Sequence, residues 1–91
     1  MTVGRQARRE EQLPRLRRQF PDDVGPAVQV LDLLELAWHD CYGEVAPPAA
    51  VVDDVLTVAG GTLAGLVNAA HLAVIDRRDL RMSALRVRPE G

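Results

Sequence analysis

A chain of 91 residues can bury one core and no more, and it buries a smaller share of its surface than a typical domain does. Its hydrophobic residues, 47% of the total, are nearly all aliphatic, with Phe20, Trp38 and Tyr42 the aromatics; a single cysteine, Cys41, excludes an intrachain disulfide and makes a cytoplasmic home the default. The net charge of −2 does not describe the surface, because it sums three segregated blocks.

All eleven positive charges are arginines, and none lies within residues 21–76. Residues 1–20 hold six of them (Arg5, Arg8, Arg9, Arg15, Arg17 and Arg18) against Glu10 and Glu11, a net of +4. Residues 21–76 hold nine carboxylates and no base, and residues 77–91 hold five arginines against Asp79 and Glu90. Such blocks attract one another within a chain or between chains. The expectation is that the basic arms lie on acidic faces of a neighbouring molecule. Arginine without lysine, amid much Ala, Val, Asp, Gly and Pro, suits a small protein from a GC-rich bacterial genome.

The first 12 residues are polar and contain no apolar run behind their arginines, so they do not read as a secretory signal. They are expected to be mobile, with at most a short helix over 5–12. Pro14 then suits a first helical position, and Leu13, Leu16 and Phe20 form a narrow apolar edge that should dock on the rest of the chain. Residues 1–20 are thus an Arg-rich arm, and residues 21–91 the helical domain.

Asp22 or Asp23 is expected to cap the main helix, about 25–42, with Pro26 in its first turn and Gly43 ending it. Ala27, Val30, Leu31, Leu34, Ala37, Trp38 and Cys41 share its apolar face; Gln29, Asp32, Glu35, His39 and Asp40 share the polar one. Val28 and Leu36 interrupt the polar side, which suggests a covering neighbour. A second helix, about 48–59, starts at Pro47-Pro48, ends at Gly60-Gly61, and turns its valines inward and Asp53, Asp54 and Thr57 outward.

Thr62 is expected to cap the third core helix, about 62–76. Ala69, Leu72 and Ile75 make its second side apolar too, and a helix apolar nearly all round is a buried one. Gly65, Ala69 and Ala73 recur every four residues as a ridge of small side chains that admits another helix. Val55 to Ile75 is uncharged, but Gly60-Gly61-Thr62 breaks it into two helices, against a membrane span. Asp79 should cap a short final helix through Leu80, Ala84 and Leu85, although residues 85–88 alternate as an edge strand does.

Little chemistry is written here. His39 and Cys41, two apart on a helix, point to different faces, and Cys41 on the apolar stripe reads as a core thiol. Glu35 and Asp32 should flank His39 as a surface ion pair, and His71 should be a boundary histidine. The Gly60-Gly61-Thr62 joint lacks the strand and lysine of a phosphate loop. No catalytic residue, cofactor or metal is expected.

The sequence therefore implies an all-α domain with three core helices and short flanking ones. Its expected role is a non-enzymatic protein–protein interaction module or homodimer, with Leu36, Gly65, Ala69, Leu72, Ala73 and Ile75 at the interface. One alternative is a nucleic-acid-binding regulator acting through the Arg-rich termini, which the acidic middle opposes. Another is a small metal or thiol protein using His39, His71 and Cys41.

Overall fold

Residues 4–87 are described by a computed structural model, in which they form five helices and no strand: α1 (Arg5–Gln19), α2 (Val24–Tyr42), α3 (Ala49–Ala59), α4 (Leu63–Ile75) and α5 (Arg77–Val87). The all-α class is as expected, and the three core helices α2, α3 and α4 lie within one residue of their expected bounds. Arg88, the end of the alternative edge strand, lies outside the described residues; residues 85–87 are helical.

α4 is the hub, packing against α2, α3 and α5, while α3 also meets α5 and α1 lies along α2. Its inner stripe of Leu66, Ala69, Ala70 and Ala73 is buried in one cluster with Leu31, Leu34, Val55 and Leu80 from the other helices. Small side chains on the central helix let its neighbours approach closely, and the larger ones fill the space between.

The helix ends follow local chemistry, with two corrections. Gly43 terminates α2 in the left-handed conformation, φ 71°, and its N–H donates to the His39 carbonyl. Thr62 caps α4 as expected, its hydroxyl accepting from the Gly65 N–H at 3.0 Å. Asp23 occupies the N-cap position of α2, but its side chain caps nothing. Asp79 is not the cap of α5: the Asp76 carboxylate accepts from the Asp79 N–H at 3.1 Å, so Asp79 sits inside the first turn. Asp76 also ends α4, its N–H donating to the Leu72 carbonyl, and one residue thus makes the whole α4–α5 joint.

The N-terminal segment differs more. α1 is one helix of 15 residues that runs through Pro14, where a short helix, a break and a second start were expected. Proline removes the N–H that would meet the Glu10 carbonyl, but Glu10 and Pro14 are exposed and water can replace that bond. Leu16 and Phe20 are fully buried, as their spacing implied, so the arm is part of the packed fold. The radius of gyration of 12.5 Å agrees with the ~12 Å of a compact chain this long.

Candidate interaction surface

The Tyr42 hydroxyl donates to the Val74 carbonyl at 3.0 Å, which brings the C-terminal ends of α2 and α4 together and makes the two helices parallel neighbours. Between them runs a groove of about 230 Å³, lined by Val30, Leu33, Leu34 and Ala37 from α2 and by Val67, Ala70, His71 and Val74 from α4. Small side chains at Ala37 and Ala70 leave the groove open, and Leu33 and Val67 rise beside it, 63% and 51% exposed. No charged residue lines it. The side of α4 turned outward carries Ala64, Val67, Asn68, His71 and Ile75, the last 64% exposed. The apolar circumference expected to be buried is therefore buried on one side only.

The residues expected at an interface divide accordingly. Ala69 and Ala73 are 1% and 0% exposed, inside the chain's own core. Gly65 faces the end of α3, where a Cβ would stand 2.1 Å from the Ala59 carbonyl oxygen. The small-residue ridge is thus spent within one molecule. Leu72 is half-buried against the core, and Leu36 and Ile75 are exposed. The rule that finds small ridges does not say whose helix fills them.

Five of the arginines expected on a neighbour's acidic faces, Arg5, Arg8, Arg9, Arg15 and Arg81, pair with carboxylates of the same chain. Arg8 forks onto Glu35, with Nε donating to Oε2 at 2.8 Å and Nη2 to Oε1 at 2.9 Å. Arg9 donates from Nε to Asp32 at 2.8 Å and from Nη1 to Gln12 at 3.0 Å. Its buried Nη2 lies 2.7 Å from Asp32 Oδ1 and 3.1 Å from Glu35 Oε2, near enough for charge attraction but too poorly angled for a hydrogen bond. Arg5 approaches Glu35 at 3.5 Å. Further along, Arg15 pairs with Asp53, and Gln19 donates to the Leu56 and Gly60 carbonyls, tying α1 to the end of α3.

Glu35 is only 5% exposed, although it was assigned to the wet face of α2. Burial pushes its pKa up, but the hydrogen bond from Arg8 and the charges of Arg9 and Arg8 outweigh it and hold the carboxyl below its ordinary range. The hydrogen bond to Glu35 raises Arg8 against the opposing effect of burial. Asp54, expected outward, is likewise buried at 4% exposure: α5 packs over that side of α3, and Arg81 supplies the countercharge at 2.9 Å.

The residues that could carry chemistry are not brought together. His39 is exposed, with Nδ1 3.3 Å from the Glu44 carbonyl oxygen; Glu35, its expected partner, is held by arginines. His39 and His71 line different clefts, one with Arg5 and Val45, the other between α2 and α4. Cys41 is exposed, which corrects the core assignment. Cys41 lies in the last turn of α2, beside the Tyr42 whose hydroxyl reaches the Val74 carbonyl near the end of α4, so its stripe runs out where α4 itself ends. Among the described residues no group of three His, Cys, Asp or Glu gathers as a metal set, and no helix is long and apolar enough to cross a membrane.

One cluster was only partly signalled by the sequence. Buried Trp38 donates from Nε1 to the Glu44 carboxylate at 2.8 Å and packs on Tyr42 with ring centroids 4.3 Å apart. The Arg77 guanidinium lies 5.7 Å from the Trp38 centroid and 5.3 Å from that of Tyr42. These contacts fasten the loop after α2 and the start of α5 to one end of the groove. The four-residue spacing of Trp38 and Tyr42 hinted at the ring pair, but nothing local announced Arg77.

The fold is that of a small all-α domain. Compared with known protein families, curated proteins and solved structures, the chain matches none of them.

Proposed function

We propose that the chain is a non-enzymatic protein–protein interaction module whose working surface is the α2–α4 face. One observation carries this: the groove beside Leu33 and Val67 is apolar, open, and free of charged lining. Exposed apolar surface in one contiguous stretch, unlike scattered single residues, costs solubility unless a partner covers it. The cytoplasm suits the accessible Cys41 thiol, which a reducing compartment keeps unpaired.

The nucleic-acid reading loses support for a specific reason. Arg8, Arg9, Arg15 and Arg81 are engaged by Glu35, Asp32, Asp53 and Asp54, so a phosphate backbone would have to displace carboxylates already in place.

The test is the native particle mass of tagged chain recovered from its source cells, beside a Leu33→Glu variant. Leu33 is largely exposed, so the variant keeps its fold. The wild-type chain should travel in a larger particle and the variant as a free chain. Equal particles for both would remove the α2–α4 face from the function.

A further inference from the structure

We infer that α1 is a detachable strap: it leaves the fold as one unit while α2–α5 stay folded, and its release uncovers a second surface between α2 and α3. This surface is separate from the α2–α4 groove, whose lining includes no residue of α1.

α2 and α3 both pack on α4, yet no Cα of one comes within 8 Å of the other. α1 spans that gap. Arg8 and Arg9 reach Glu35 and Asp32 on α2, while Arg15 reaches Asp53 and Thr57, and Gln19 the Leu56 carbonyl, on α3. The backbone of α1 approaches α2 alone. No Cα of α1 lies within 8 Å of α3, and a cleft of about 220 Å³ separates the two, with Gln12 and Arg15 on one side and Ala49, Val52 and Leu56 on the other.

How α1 is held decides how it leaves. Within the helix the fully buried apolar side chain is Leu16; Leu13 is half-buried, and the remaining ties are ionic or polar. α4, by contrast, buries Leu66, Ala69, Ala70 and Ala73 and packs on three helices. Apolar burial is lost outright on release, whereas arginines and carboxylates that separate regain water, which offsets much of what their pairing supplies. Leu16 therefore supplies most of the hold. Pro14 also leaves the Glu10 carbonyl without its helical donor, so the released helix is too short and interrupted to persist alone, and release and unwinding occur together.

Phe20 is the pivot. It is 1% exposed, and its carbonyl accepts from the Asp23 N–H at 3.0 Å in the turn that joins α1 to α2, so it keeps its seat while the helix before it swings away. What release uncovers is a trough holding the seat of Leu16, with Asp32 and Glu35 on one rim and Asp53 on the other. Opening thus exchanges an ion-paired surface for an acidic one.

Native-state hydrogen exchange of the full chain, followed amide by amide by NMR, tests this. The hydrogen-bonded amides of α1 should exchange as a group, roughly a hundredfold or more faster than those of Leu66 to Ala73. Because one opening frees both ends, weakening either tie should speed both. Glu35→Gln loosens the N-terminal half and should speed exchange across residues 9–19 about tenfold or more. Asp53→Asn, at a side chain 49% exposed, loosens the C-terminal half and should speed the same amides about threefold. Unchanged protection in α4 reports that each variant is folded. Exchange in α1 as slow as in α4, or α4 protection lost in step with α1, would make α1 part of one cooperative core and overturn the strap. Variants that each speed only their own half would show two pieces hinged at Pro14, and exchange indifferent to both substitutions would mean local fraying; either result overturns release as a unit.

Discussion

Gly65 lies under the carbonyl of Ala59, so close that a Cβ on residue 65 would stand 2.1 Å from that oxygen and 3.0 Å from the Thr62 hydroxyl. Glycine is required here by space, not by φ, because α4 has already begun at Leu63. Gly65→Ala would gain about 1 kcal/mol of helix propensity, yet forcing the α3–α4 joint apart should cost about 1–3 kcal/mol beyond that gain. Urea denaturation measures the difference. A variant as stable as wild type would show that the joint yields freely.

Two glutamates introduced two residues apart should behave oppositely. Ala69 is 1% exposed in the core and Val67 is 51% exposed at the groove. Ala69→Glu buries a charge with no partner and should unfold the chain at a cost of several kcal/mol, whereas Val67→Glu should melt close to wild type. Thermal melts at low concentration, where association contributes nothing, decide between them. Similar melting points would mean that α4 can rotate its faces.

Cys41 should react with a thiol reagent in the native protein about as fast as after denaturation, because it is exposed at the end of α2. Labelling that waits for denaturant would return the thiol to the core. This outcome separates the observed end of the apolar stripe from the one its spacing implies.

What the sequence shows and what it hides divide along one physical line. Periodicity, Gly43, Gly60-Gly61 and Thr62 set the three core helices, because those signals act within a few residues of where they stand. Burial of Glu35 and Asp54 depends on arginines 27 residues away, and no wheel drawn for one helix contains them. The same limit explains the ridge. Gly65, Ala69 and Ala73 correctly demanded close approach, but α3 and the chain's own core supply it. The α2–α4 groove was half legible: the excess apolar surface of α4 could be seen, but not the parallel pairing that leaves Leu33 and Val67 beside an open channel.

The clasp of Arg8 and Arg9 on Glu35 yields the last prediction. Removing one partner of a buried ion pair strands the others, so Glu35→Ala should cost up to about 3–5 kcal/mol, nearer the lower figure because Arg8 remains 20% exposed. Glu35→Gln keeps the shape and should cost less. In the unfolded chain Glu35 titrates near its ordinary value of about 4.3, while in the fold its pKa is lower. The native state therefore binds that proton more weakly than the unfolded state. Its contribution is complete above about pH 4.3 and is lost as the pH falls through the lowered folded value. Wild-type melting temperature should accordingly drop between about pH 5 and pH 3, and Glu35→Gln should show a shallower drop over the same window. Arginine side chains do not titrate in this window, so the slope belongs to carboxylates. Melting curves measured across that range compare the two proteins. Parallel profiles would mean that the ion cluster places α1 on α2 without contributing to its stability, and that Leu16 and Phe20 alone hold the helix down.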